Sequence, residues 1–271
     1  MYTKFNYSPT TSFYNQTLNK YLEVGRSIYE KHQKEVNVCL AEYINEDGII
    51  NGTALKEHWF SISQKDIFIS HSHSDISKVK AFAGWLNQCF GLEAFIDSCS
   101  WGYCDELLNK IDKRYCYKPK SKTYDYEMRN YTTSHVHMML STALTEMIDK
   151  TECIIFFNTP NSINLAEELK KIKTPGKKHT TTSPWIYHEL SMTTMLRSVA
   201  PARLRSTLEH FARDSVEKPQ FIYNVDKELA EMETLTDEQL MRWQSRWIAK
   251  SGEDNRNALD ELYKIAFRNN R

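Results

Sequence analysis

The segment from Asp66 to Asp97 constrains this chain most, because it writes a strand, a helix and a second strand in direct succession. Asp66-Ile67-Phe68-Ile69-Ser70 is a short apolar run bounded by polar residues, and Ser70-His71-Ser72-His73-Ser74-Asp75 follows as a tight polar loop. Val79, Phe82, Ala83, Leu86 and Phe90 then recur at helical spacing with Trp85 beside them, and Gly91 stops the helix. Leu92 to Ile96 is the second strand, ending at Asp97. Such a unit implies a parallel sheet with a right-handed crossover. Cys153-Ile154-Ile155-Phe156-Phe157 is continuously apolar, as a central strand buried on both faces should be, and Gln220 to Val225 is a fourth strand candidate ending at Asp226. The expected architecture is a three-layer parallel α/β domain with helical extensions at both ends.

Around that unit the chain reads as follows. Residues 1 to 14 have no period and suggest a loose arm, while Leu18, Leu22, Ile28, Val36, Leu40 and Ile44 fit one or two amphipathic helices. Asp47-Gly48 and Asn51-Gly52 signal turns, and 53 to 60 reads as a short helix. Asp97 to Cys104 reads as a loop, with a short helix over 105 to 112. The polar segment 113 to 133, carrying five tyrosines among Lys and Arg, is too long for an ordinary connection and is therefore functional or disordered. A periodic helix follows, with Val136, Leu140, Leu144, Met147 and Ile148 on one face, and 164 to 182 is a Lys- and Thr-rich connection. Ser183-Pro184 is a strong helix start, because Ser caps a free N–H and Pro lacks the donor its position cannot use. Thr236-Asp237-Glu238-Gln239 has the form of a capping box, and Ala258, Leu262, Ile265 and Ala266 mark a last helix.

Composition narrows the function classes. The 271 residues hold 35 Lys plus Arg and 35 Asp plus Glu, a balance that gives no support for general binding to nucleic acid or to a membrane surface. No apolar run approaches the roughly 18 residues of a membrane span, and the first residues do not read as a signal peptide, so a cytoplasmic protein is expected. The six cysteines form no C-x-x-C pair and read as free thiols.

In open parallel sheets ligands bind beyond the carboxyl ends of the strands, which here places Ser70 to His73, Asp97 to Trp101, Asn158 and Asp226 at one edge. The helix after the third strand carries Trp185 and Glu189 four residues apart on one face. Taken alone, that spacing fits a packed aromatic beside a solvated charge as well as an active-site carboxylate with an aromatic neighbour. The chain has no phosphate-cradling G-x-x-x-x-G-K-[ST], no G-x-G-x-x-G after a strand and no G-x-S-x-G elbow. The His71/His73 and His135/His137 pairs lack the companions of a zinc site, so no metal is expected. What remains is a carboxylate-centred site, of the kind that stabilises an oxocarbenium-like transition state.

Asp66 to Ser72, then Gly91 to Asp97, then the W-x-x-x-E of Trp185 to Glu189 together resemble bacterial TIR (Toll/interleukin-1 receptor) domains. The resemblance covers residues 64 to 226, leaving 1 to 63 and 227 to 271 as helical extensions and 113 to 133 as an insertion. It implies a flavodoxin-like fold and, since many such domains are NAD glycohydrolases or cyclases, cleavage of the nicotinamide–ribose bond, as in Thoeris-like anti-phage signalling. NAD is then the substrate and no cofactor is needed. The resemblance makes Glu189 the catalytic carboxylate at the ribose and places Trp185 by the nicotinamide or the ribose. Asp97 and Trp101 match a flexible loop that gates the site and joins neighbouring domains. Ser70, His71, Ser72 and His73 complete the binding edge, although some relatives carry phosphate-binding arginines where Ser72 and His73 stand. Self-association and a downstream effector that senses the product are implied as well. The competing expectation is a non-catalytic TIR scaffold, and a third is a transferase or base-exchange enzyme acting on another nucleotide.

Overall fold

Every residue of Cys153–Phe157 is buried, and this strand lies at the middle of a five-stranded sheet. The computed structural model describes residues 1–37, 52–53, 65–165, 179–201, 223–249 and 257–267. In chain order the sheet comprises β1 (Thr3–Tyr7), β2 (Ile67–Ser70), β3 (Ala94–Ile96), β4 (Cys153–Phe157) and β5 (Glu233–Leu235). Their spatial order is β5-β1-β4-β2-β3, and each neighbouring pair runs parallel.

Side chains alternate across a strand, so each strand feeds two cores. Phe5, Tyr7, Ile67, Ile69, Ile155 and Phe157 point to one face. There they meet helices α1 (Leu22–Asn37), α2 (Ile76–Phe90) and, from the C-terminal part of the chain, Asp237–Ala249 and Ala258–Ala266. Phe68, Phe95 and Ile154 point to the other face, against α3 (Ser98–Ile111) and α4 (Tyr126–Lys150). Phe156 shares that second side with Ile186 and Leu190 of α5 (Pro184–Met195). Below, α6 and α7 denote Asp237–Ala249 and Ala258–Ala266. The result is a flavodoxin-like three-layer architecture, a parallel sheet flanked by helices.

Local signals act as their chemistry requires. Gly91 ends α2 at φ 69°, where a left-handed turn lets its N–H reach Asn87 O. Ser183 Oγ accepts from Ile186 N at 3.3 Å, with Pro184 opening α5. The capping box closes reciprocally: Thr236 N donates to Gln239 Oε1 at 2.9 Å and Gln239 N to Thr236 Oγ1 at 3.2 Å. Helices α1 and α2 meet backbone to backbone at Gly25 and Gly84, and a Cβ on Gly25 would stand 1.7 Å from Lys80 O.

Three expectations are corrected. Residues 3 to 7 are no loose arm but β1, held between β5 and β4, so the sheet draws on chain outside residues 64 to 226 at both ends. Tyr223–Asn224, the described part of the fourth strand candidate, pairs antiparallel with His179–Thr181 in a separate small sheet and does not join the main one. The loop drawn over 97 to 104 is helical, because α3 begins at Ser98 directly after Asp97. The segment 113 to 133, expected to be functional or disordered, carries secondary structure: a Tyr117–Lys118/Thr123–Tyr124 hairpin leads to Asp125, whose carboxylate caps α4 through Met128 N. An Arg129–Asp112 ion pair at 2.8 Å ties that start to the end of α3. Of the expected short helix over 53 to 60 only residue 53 is described, and it is helical; the rest of it and the turn at 47 and 48 lie outside the described residues.

Candidate functional site

Strand β2 has β3 on one side and β4 on the other, so the order of strands along the chain reverses between β2 and β4. A crevice opens at such a reversal, outside the carboxyl ends of the strands. A cavity of about 480 Å³ lies there. His71, Ser72 and His73 after β2, Asp97 and Ser98 after β3, and Asn161 after β4 contribute to its lining, with Thr181, Thr182 and Ser183 just before α5 and Trp185 and Ile186 in its first turn.

Beneath the cavity sits a buried polar cluster. Glu189 is 1% exposed, and its Oε2 accepts a 2.6 Å hydrogen bond from Ser70 Oγ. Asp97 is 2% exposed, and its Oδ2 accepts from the backbone N–H of His71 at 3.3 Å. Asp97 Oδ1 lies 2.5 Å from His71 Nδ1, yet off the line of an N–H, so this oxygen has no aligned donor among the described residues. Glu189 Oε1 and His71 Nε2 also lack a partner among them. Burial first, and then the Asp97 carboxylate beside it, hold the Glu189 carboxyl well above the usual range, with the Ser70 bond opposing. Two carboxyl groups so close in a buried site repel as anions, which adds to burial in favouring the protonated form of Glu189.

Two further networks frame the cluster. Asp75, 1% exposed at the foot of α2, accepts from Thr159 Oγ1 at 2.5 Å and from Asn161 Nδ2 at 3.1 Å, and pairs with Lys78 at 2.9 Å. Burial alone would raise the Asp75 pKa, but these bonds outweigh it and hold the carboxylate below its usual range. The loop after β4 is thereby clamped to the loop after β2. On the other side His188 Nε2 lies 3.2 Å from Ser141 O and 3.3 Å from Thr145 Oγ1, which pins α5 to α4. Burial lowers the His188 pKa and favours the neutral ring.

Of the residues expected at the site, His71, Ser72, His73, Asp97 and Trp185 line the cavity, whereas Ser70 and Glu189 lie one layer deeper, bonded to each other. Trp185 is half-buried and meets the His137 ring edge-on at a centroid distance of 5.5 Å. Trp101 falls within α3, so the expected flexible loop carrying Asp97 and Trp101 is corrected to a strand end followed at once by a helix. His135 and His137 belong to α4: His135 packs on Tyr131, and of the two only His137 reaches the cavity. Sequence reasoning missed His137, Asp105, Cys104 and Asn161. A signal for the first existed: His137, Ser141 and Thr145 form a polar line at four-residue spacing beside the apolar stripe of α4.

Among the described residues no group of three or more His, Cys, Asp or Glu is arranged to hold a metal ion, and no helix is long and apolar enough to cross a membrane. Comparison with known protein families, with curated proteins and with solved structures found no match.

Proposed function

We propose that this chain is a TIR-type enzyme that cleaves the nicotinamide–ribose bond of NAD, releasing nicotinamide and leaving ADP-ribose or a cyclic isomer. The observation that carries the reading is the buried Glu189/Asp97 carboxyl pair at the strand-order reversal, beneath a cavity walled on one side by Trp185. A pyridinium base leaves with the bonding electron pair and becomes neutral, so no acid is needed for its departure. The demand falls on stabilising positive charge at the anomeric carbon, and negative charge held in a low-dielectric site does this strongly. The half-buried Trp185 offers an aromatic edge for the leaving base.

Cutting a glycosidic bond within a signalling nucleotide fits the anti-phage role that the TIR resemblance implies, with self-association of the domains and an effector that reads the product. The test is direct. Purified protein is incubated with NAD and nicotinamide is measured, with Glu189→Ala as the control. The expected outcome is nicotinamide release that falls about a hundredfold or more in the variant. Release equal in both proteins, or absent from both at high protein concentration, overturns the reading.

A further inference from the structure

The two carboxyl groups of the site are placed differently. Asp97 lines the cavity, while Glu189 does not and is held from below by Ser70. We propose that Asp97 is the carboxylate that faces the reacting glycosyl centre, and that Glu189 is a positioning residue that holds Asp97 through a carboxyl–carboxylate hydrogen bond. This assignment rests on the glycosyl-cleaving reading and reverses the roles that the W-x-x-x-E resemblance implies.

The orphaned oxygens argue for it. Glu189 Oε1 and Asp97 Oδ1 are both acceptors without an aligned donor among the described residues, and both belong to residues at least nine-tenths buried. An unsatisfied buried polar atom is costly, and two carboxyl groups within hydrogen-bonding reach satisfy each other with a single shared proton. The deeper group keeps that proton. The shallower one accepts from the His71 backbone N–H and is flanked by the His71 ring, whose unpartnered Nε2 belongs to a residue that lines the cavity. In the reaction the C–N bond breaks with its electron pair leaving on the neutral base. The Asp97 carboxylate stabilises the cationic sugar. Water then bonds to the anomeric carbon, and the proton it loses passes to Asp97.

The assignment separates two variants that a simple anionic role for Glu189 would not. A Gln at 189 still accepts from Ser70 and donates to Asp97, reproducing the protonated carboxyl. Glu189→Gln is therefore expected to recover kcat to within about tenfold of the wild type, whereas Glu189→Ala and Asp97→Asn each lose about a hundredfold or more, with KM moved little. Glu189→Gln as inactive as Glu189→Ala, or Asp97→Asn with near-normal kcat, overturns the assignment while the wild type's own turnover leaves the function standing. A second measurement needs no turnover: the infrared carbonyl band of a protonated carboxylic acid should be present in the wild type at neutral pH and missing from Glu189→Gln. If that band is absent from the wild type or survives in Glu189→Gln, the assignment fails, whichever reaction the protein performs.

Discussion

At the scale of single residues, Glu189 shows how burial changes what a side chain can do. On a helical wheel it shares a face with Trp185, and nothing in that spacing separates a solvated charge from a buried acid. Folding decides the matter by bringing Ser70 and Asp97 against it from two strand ends more than 90 residues earlier in the chain. The stability cost of this arrangement has a definite sign. The folded Glu189 pKa is raised, so between its unfolded value near about 4.3 and its folded value the native state binds more protons than the unfolded one, and stability falls as pH rises. Glu189→Gln removes that dependence. The variant should melt close to the wild type at about pH 4 and increasingly above it as pH is raised toward about 8, read by thermal unfolding across the range. A constant difference across pH would show that Glu189 keeps its ordinary ionisation.

At the scale of elements, the parts legible in the sequence are those governed by neighbours along the chain. The Gly91 stop, the Ser183-Pro184 start and the Thr236/Gln239 box all form as their residues dictate, because each is a bond between backbone and a side chain three or four positions away. The contact between α1 and α2 is different. Gly25 reads in the sequence as a mild helix weakness, yet it permits a backbone approach that a methyl group would block at 1.7 Å. Gly25→Ala should therefore destabilise the fold by about 1–3 kcal/mol despite its better helix propensity, checked by denaturant unfolding. Stabilisation would mean that the two helices can separate without loss.

At the scale of the whole molecule, β1 is the test of the sheet. It lies between β5 and β4, so removing residues 1 to 9 strips β5 of its only main-sheet partner among the described residues and takes Phe5 and Tyr7 out of the core. The shortened chain should lose cooperative thermal unfolding; a normal melt would show that the order β5-β1-β4 is not required. Self-association belongs to this scale too. If sites are completed between copies, nicotinamide release should rise more steeply than linearly with protein concentration, and strict proportionality would limit the reaction to single chains.

What the sequence determined by itself was the strand–helix–strand unit, the central apolar strand, the caps, and the set of polar residues at the strand ends. These follow from periodicity and local hydrogen bonding, which need only a short window. The tertiary structure alone decided that the first residues are a strand, because Thr3–Tyr7 is a five-residue run whose polar members Thr3, Lys4 and Asn6 hide its alternation until β4 and β5 pair with it. It also decided which carboxyl group meets the cavity. Burial and the nearness of Asp97 raise the Glu189 carboxyl, and neither exists before the strand ends and α5 come together.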